Sequence, residues 1–217
     1  LTVRQMARSF IFWSTEAAPF AVIPDLIKVT DQVVSTQAHM ITLHDKYHRS
    51  DTLTLSTCVD LTGILKSSYL DRAIHHVCQL HTALRTTFIA HVNEEIVTSR
   101  IRDIQNLTDY CTYETATSYS HIADLAREMT KKPFDLGKGP LIRFLIASVQ
   151  ESDVHVLVVT AHHAIVDGWS LSIVLDDIRR AYAAFVNGKE LAPSLCPPQF
   201  AAYIARQQAW LDYDGGR

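Results

Sequence analysis

Chemistry concentrates in one run of the chain, Ala161-His162-His163-Ala164-Ile165-Val166-Asp167-Gly168-Trp169-Ser170. An imidazole titrates near neutrality and can serve as a general base. The carboxylate of Asp167 could fix a loop through a buried ion pair, and Gly168 lets the backbone approach a ligand or a neighbouring strand. Adjacent histidines with a carboxylate nearby can also ligate zinc. However, neighbouring residues on a strand point to opposite faces, so both rings cannot easily reach one ion. Only one of the two histidines is expected to face a site.

The elements around the run explain how it could be held. Val154 to Thr160 is mostly apolar and reads as a strand, and a helical pattern begins near Ser170. The histidines therefore lie on a strand-to-helix connection, a common seat for catalytic groups. With 11 histidines in the chain, the pair alone would more often be structural. Other motifs fall away. No Gly-x-Ser-x-Gly elbow supplies a serine nucleophile. Gly137-Lys138-Gly139-Pro140 lacks the spacing and the Ser/Thr of a phosphate loop. His75-His76 lies in an amphipathic helical stretch and reads as a solvated face.

The rest of the sequence switches repeatedly between helical and strand periods. Helices are expected over 37–47, 67–81, 118–131, 171–186 and 199–211, with Ser67 or Ser68 capping the second. Strands are expected over 52–61, 141–149 and 154–160, with a hairpin of 86–92 and 95–101 around Asn93-Glu94. Mixed helices and strands give an α/β (α+β) class. Residues 1–33 read as a linker or the tail of a preceding module, and the compact domain begins near Val34.

Composition sets the bounds. Of 217 residues, 47% are hydrophobic and 20% charged, enough for a buried core without metal or disulfide help. A formal charge of −3 with no basic block gives nucleic-acid binding little support. No stretch approaches the ~20 apolar residues of a membrane span. Cys58, Cys78, Cys111 and Cys196 form no CxxC pair; Cys58 and Cys78 read as small buried thiols in a reduced, cytoplasmic protein.

Four segments together resemble the condensation-domain family of nonribosomal peptide synthetases, within the chloramphenicol-acetyltransferase-like acyltransferases. Ser35-Thr36-Gln37-Ala38-His39-Met40 resembles the family's opening serine–glutamine element. His81-Thr82-Ala83-Leu84-Arg85-Thr86 is similar to its His-x-x-Leu-Arg-Thr element. Lys132-Pro133-Phe134-Asp135-Leu136 with Gly139-Pro140-Leu141 resembles its Pro-Phe-Asp-Leu…Gly-Pro-Leu run, and His162 to Ser170 its His-His-x-x-x-Asp-Gly signature. Gln199-Phe200-Ala201-Ala202-Tyr203 is a weaker echo. The resemblance covers residues 34–212. Leu80 and Thr82 depart from the arginine and glutamate that often flank the position of His81.

The resemblance implies a chloramphenicol-acetyltransferase-like lobe, a mixed sheet flanked by helices. Residues 34–217 would be the N-terminal lobe of a condensation domain, with the C-terminal lobe absent and residues 1–33 closing a carrier domain. It implies amide-bond formation between two thioesters carried on phosphopantetheine arms of upstream and downstream carrier domains, beside an adenylation domain. No cofactor, metal, nucleic acid or membrane is implied for the domain itself. His163 would face the channel, Asp167 would pair with Arg85, and the Gly168 amide would lie near the developing oxyanion. His162, Arg85, Trp169 and Ser170 would support them. A related acyltransferase and an epimerisation domain share the signature, and Trp169-Ser170 favours condensation; a non-catalytic carrier-docking domain would share the fold, and the intact His163, Asp167 and Gly168 argue against it.

Overall fold

The computed structural model describes residues 33–46, 51–91, 96–104, 106–150, 152–191 and 199–212. The proposed leading segment (apart from Val33), the hairpin turn at Asn93-Glu94 and Cys196 lie outside the described residues. In chain order come α1 (Ser35–Lys46), β1 (Thr54–Thr62), α2 (Ser67–Leu80), β2 (Thr86–His91), β3 (Ile96–Ile101), β4 (Cys111–Ala116), α3 (Tyr119–Lys131), β5 (Ile142–Val149), β6 (Val154–His162), α4 (Gly168–Val186) and α5 (Phe200–Asp212). The expected helices and strands are all present, displaced by a few residues at their ends.

Four strands form one mixed sheet in the order β1-β6-β5-β4. β6 pairs antiparallel with β1 and with β5, while β4 runs parallel to β5. β2 and β3 form a separate antiparallel ribbon. β4 has no counterpart among the expected strands. Thr112, Tyr113, Glu114 and Thr115 are exposed, as an edge strand permits, so no apolar alternation marks it.

The pleat assigns the two faces. Leu157, Val159 and Ala161 of β6 join Ile142, Phe144 and Ile146 of β5 under α2 and α4, in a core that includes Ile74, Val77, Leu171, Val174 and Ile178. The opposite residues, Val156, Val158, Leu145 and Ala147, pack with Ile122 of α3 in a second cluster. Each fully buried side chain of this size contributes roughly 1.5–3 kcal/mol. β5 and β6 are covered on both faces and thus read as largely apolar runs; β1, at the edge, alternates.

Several local expectations are corrected. Neither Ser67 nor Ser68 caps α2. Its N-cap is Lys66, whose N–H donates to the Tyr182 hydroxyl of α4 at 3.1 Å. Cys78 is fully buried, and burial pushes its thiol up to about 12, but Cys58 is exposed. The alternation that turns Leu55, Val59 and Leu61 toward the core turns Cys58 the other way. His75 and His76 are half-buried rather than solvated, because His76 meets the Phe185 ring of α4 edge-on with centroids 6.1 Å apart.

The expected Asp167–Arg85 ion pair does not form, because each group has another task. Arg85 Nε donates to the Cys78 carbonyl at 3.0 Å, Nη2 to that of Gln79 at 3.4 Å and Nη1 to that of Arg102 at 2.7 Å. It thus binds orphan carbonyls at the C-terminus of α2, where a cation suits the helix dipole. Asp167 is the N-cap of α4: its Oδ1 accepts from the Ser170 N–H at 2.7 Å and the Ser170 hydroxyl at 2.6 Å. Those two Ser170 bonds hold its carboxyl below the usual aspartate range. In urea melts, Asp167→Ala should cost about 1 kcal/mol, the value of a lost N-cap. The Asp167→Ala/Arg85→Ala double mutant should equal the sum of the singles within about 0.5 kcal/mol. A coupling several times larger would mean that the two side chains meet.

Candidate active site

The central strand β6 delivers the motif. His162 is its last residue and pairs with Thr54 of β1. Its N–H donates to the Leu141 carbonyl at 2.9 Å, and the His163 N–H donates to that of Leu53 at 2.8 Å. The chain then turns, the Ile165 N–H reaching back to the His162 carbonyl at 3.1 Å. The turn fits beneath the core because Ala164, Ile165 and Val166 are all buried. Asp167 and Gly168 then open α4.

The two histidines meet opposite environments. The His162 ring is only 1% exposed, edge-on to Phe134 with centroids 6.1 Å apart. His163 is only half-buried, and its Nδ1 is the buried ring nitrogen, with no hydrogen-bond partner among the described residues. The nitrogen through which His163 can meet an incoming group is therefore Nε2.

Further support for the loop, on which sequence spacing is silent, comes from α1. Gln37 Nε2 donates to the Ala164 carbonyl at 2.9 Å. His44 Nδ1 lies 3.2 Å from His162 Nε2, with ring centroids 4.9 Å apart at 79°. On its other side His162 Nδ1 accepts from the Ala164 N–H at 3.1 Å. Gln37 belongs to the quoted serine–glutamine element, so its position was legible, though its partner was not. His44 carries only its spacing, seven residues and two helical turns after Gln37 on the same face.

The remaining site residues are arranged as follows. Ser170 supports the loop through Asp167. Trp169 is 59% exposed on the first turn of α4, and Ile173, one turn on, is 46% exposed. Arg85 is bound to the α2 terminus and does not join the loop. A Cβ on Gly168 would meet nothing within 4 Å, so no neighbouring strand approaches it. An open groove of about 580 Å³ between the β2–β3 ribbon and the Gly137–Pro140 loop is lined by Arg100, Arg102 and Lys138 and holds none of the motif residues. Among the described residues no cluster of His, Cys, Asp and Glu could hold a metal ion, and no helix is long and apolar enough to cross a membrane.

Burial, reinforced by the neighbouring rings of His44 and His163, lowers the pKa of His162 from 6.5 to about 4. The unfolded chain therefore binds a proton near pH 6.5 that the folded chain refuses until about pH 4. The stability in question is intact above the unfolded value and lost as pH falls through that window, at about 1.4 kcal/mol per unit. Urea melts of the wild type should weaken from pH 6.5 to 4 more steeply than those of His162→Gln. Parallel curves would show that His162 does not titrate this way.

Residues 29–214 match the sequence profile of the Condensation domain family. The chain is 33% identical over 164 residues to a linear gramicidin synthase polypeptide of Brevibacillus parabrevis, covering 74% of this chain and 3% of that one. It is 29% identical over 173 residues to malpinin synthetase of Mortierella alpina, covering 76% and 2%. Among solved structures, the X-domain from teicoplanin biosynthesis superposes with a TM-score of 0.72 at 28% identity, covering 89% of this chain and 40% of that one. The starter condensation domain of rhizomide synthetase RzmA superposes with a TM-score of 0.74 at 15% identity, covering 86% and 45%. The chain thus spans a few per cent of its curated relatives and under half of these solved chains. With the His-His-x-x-x-Asp-Gly loop at the end of a mixed sheet and a profile match across most of its length, the chain belongs to the condensation-domain family.

Proposed function

We propose that this domain takes part in peptide-bond formation, with His163 as its catalytic residue. The observation that carries the reading is the contrast within the histidine pair: His162 is sealed in the core, whereas His163 keeps Nε2 as its available nitrogen on a loop pinned by main-chain bonds. The substrates are an acyl or peptidyl thioester and an aminoacyl thioester, both delivered on phosphopantetheine by carrier domains. The amine attacks the thioester carbonyl, the C–N bond forms, the C–S bond breaks, and the amine proton leaves with the thiol. His163 Nε2 receives that proton or holds the amine and the tetrahedral intermediate in line. The domain itself needs no cofactor for this exchange.

Asp167 and Ser170 support the loop as the cap of α4, and the first-turn amides of that helix, Gly168 among them, form the positive end of its dipole. Trp169 and Ile173 give the loop an exposed apolar flank against which a second lobe or a carrier arm can pack. The partners in this reading are upstream and downstream carrier domains, an adenylation domain and a C-terminal condensation lobe. The free thiols of Cys58, Cys78 and Cys111 suit a reducing cytoplasm.

The test pairs residues 34–217 with a second condensation lobe and supplies loaded donor and acceptor carriers. His163→Ala should lower the rate ~10²–10⁴-fold while the melting curve stays cooperative. Full turnover by a folded His163→Ala protein would remove His163 from the catalytic role, and no turnover by the folded two-lobe wild type would favour a docking domain. Gly168→Ala separates fold from chemistry at a second position. An added methyl on the first turn of α4 meets open space and should leave stability unchanged or raised by up to about 1 kcal/mol. A fall in rate without a fall in stability would be the mark of a substrate passing close to that backbone; an unchanged rate would remove Gly168 from the site.

A further inference from the structure

We propose that His44 is a positioning residue for His163, acting through the ring of His162. The inference rests on His163 being the catalytic group. Its starting point is a proton count along three groups. A backbone amide can only donate, so the Ala164 N–H, 3.1 Å from His162 Nδ1, requires a lone pair there. The proton of neutral His162 must then sit on Nε2. That nitrogen is 3.2 Å from His44 Nδ1, which in turn must accept. The three groups form a single directed chain, from the Ala164 amide to His162 and from His162 to His44, in which the Ala164 amide sets the polarity and His44 on α1 is the last acceptor.

This polarity matters because the Ala164 N–H belongs to the peptide plane that joins Ala164 to His163. Turning that plane turns the main chain of His163 and moves its ring. The plane on the other side of Ala164 is held as well, by Gln37 Nε2 on the Ala164 carbonyl at 2.9 Å. Gln37 and His44 stand two turns apart on α1 with the buried Ile41 between them, so one helical face docks on the loop from both ends. Without an acceptor at position 44, His162 gains no bond by keeping its proton on Nε2. A proton moved to Nδ1 would confront the Ala164 N–H with a second donor, so the proton stays on Nε2 as a buried unpaired donor, and the ring relieves it only by turning out of its bond with Ala164. His44 is 3% exposed and His162 1%, so water is a poor substitute inside this pair.

The substitution His44→Leu removes the acceptor and keeps an apolar body. His44→Asn keeps an acceptor, because Asn Oδ1 falls close to where His Nδ1 was. In the two-lobe protein, His44→Leu should lower kcat roughly 10–10²-fold, the scale of a catalytic group misplaced by about 1 Å, with KM for the carriers unchanged. His44→Asn should recover most of that loss. Histidine ¹⁵N spectra of the 217-residue chain give a readout that a purely structural role would not move. Wild type and His44→Asn should show His162 as the Nε2–H tautomer with its Nδ1 resonance shifted by the bond accepted from Ala164, and in His44→Leu that shift should be lost. His162 found as the Nδ1–H tautomer in wild type would overturn the proposal even if His44→Leu failed to fold. If His163→Ala abolishes turnover while His44→Leu retains both kcat and the hydrogen-bonded Nδ1 shift, the role of His44 falls and that of His163 stands. If His163→Ala remains active, the catalytic reading itself falls.

Discussion

The structure depends on a neutral imidazole held in the core at the end of its central strand. His162 has no solvent to satisfy it, so both ring nitrogens must find partners of the right kind. One partner is a main-chain amide two residues ahead, and the other is a histidine 118 residues back in the chain. That pair of bonds ties α1, β6 and the loop into one unit. Protonation of the ring would turn an acceptor into a donor against another donor, and burial holds the protonated form off until pH is near 4. The electrostatics and the geometry therefore enforce the same state.

Around this point the fold repeats one device, in which a polar side chain, from a neighbouring or a distant segment, satisfies a helix end or a turn. Arg85 binds carbonyls at the end of α2, and Asp167 caps α4. Gln199 accepts from the Thr82 N–H and hydroxyl and donates to the Leu80 carbonyl. His81 Nε2 lies 2.8 Å from Asp177 of α4. The helices are packed on the sheet by apolar faces, which are forgiving about position. These polar bonds are directional, and those of His81 and Gln199 tie the end of α2 to α4 and to the start of α5.

The elements with a strong period were legible in the sequence: β6, β5, α2, α3 and α4 bury one or both faces, and burial writes itself as periodicity. β4 was not, because four of its six residues face solvent and its partner is a single parallel neighbour. The motif loop was legible too, as was the separation of the two histidines to opposite environments. The partners of the charged residues were not. Arg85 and Asp167 are plausible mates by charge alone, but a guanidinium can be fully used by carbonyls and a carboxylate by a cap. Neither choice leaves a trace in spacing. Cys58 shows the opposite failure: its residue type argues for burial, but strand parity turns it outward, and parity wins.

Strand parity also accounts for why two neighbouring residues of one type can hold opposite roles. On β6 the side chains before the loop alternate between the α2/α4 face and the α3 face, and the last of them, His162, points into the closed packing around Phe134. His163 comes one residue later, where pairing with β1 has just ended and its own N–H still reaches Leu53. The main chain at His163 is thus as rigid as the strand, but the side chain has left the sheet's packing. A group meant to meet a substrate needs both properties, since rigidity without access is structural and access without rigidity gives poor alignment. The Leu141 and Leu53 carbonyls, just ahead of β5 and β1, receive the His162 and His163 amides, so the placing of these two segments decides which histidine is available for chemistry.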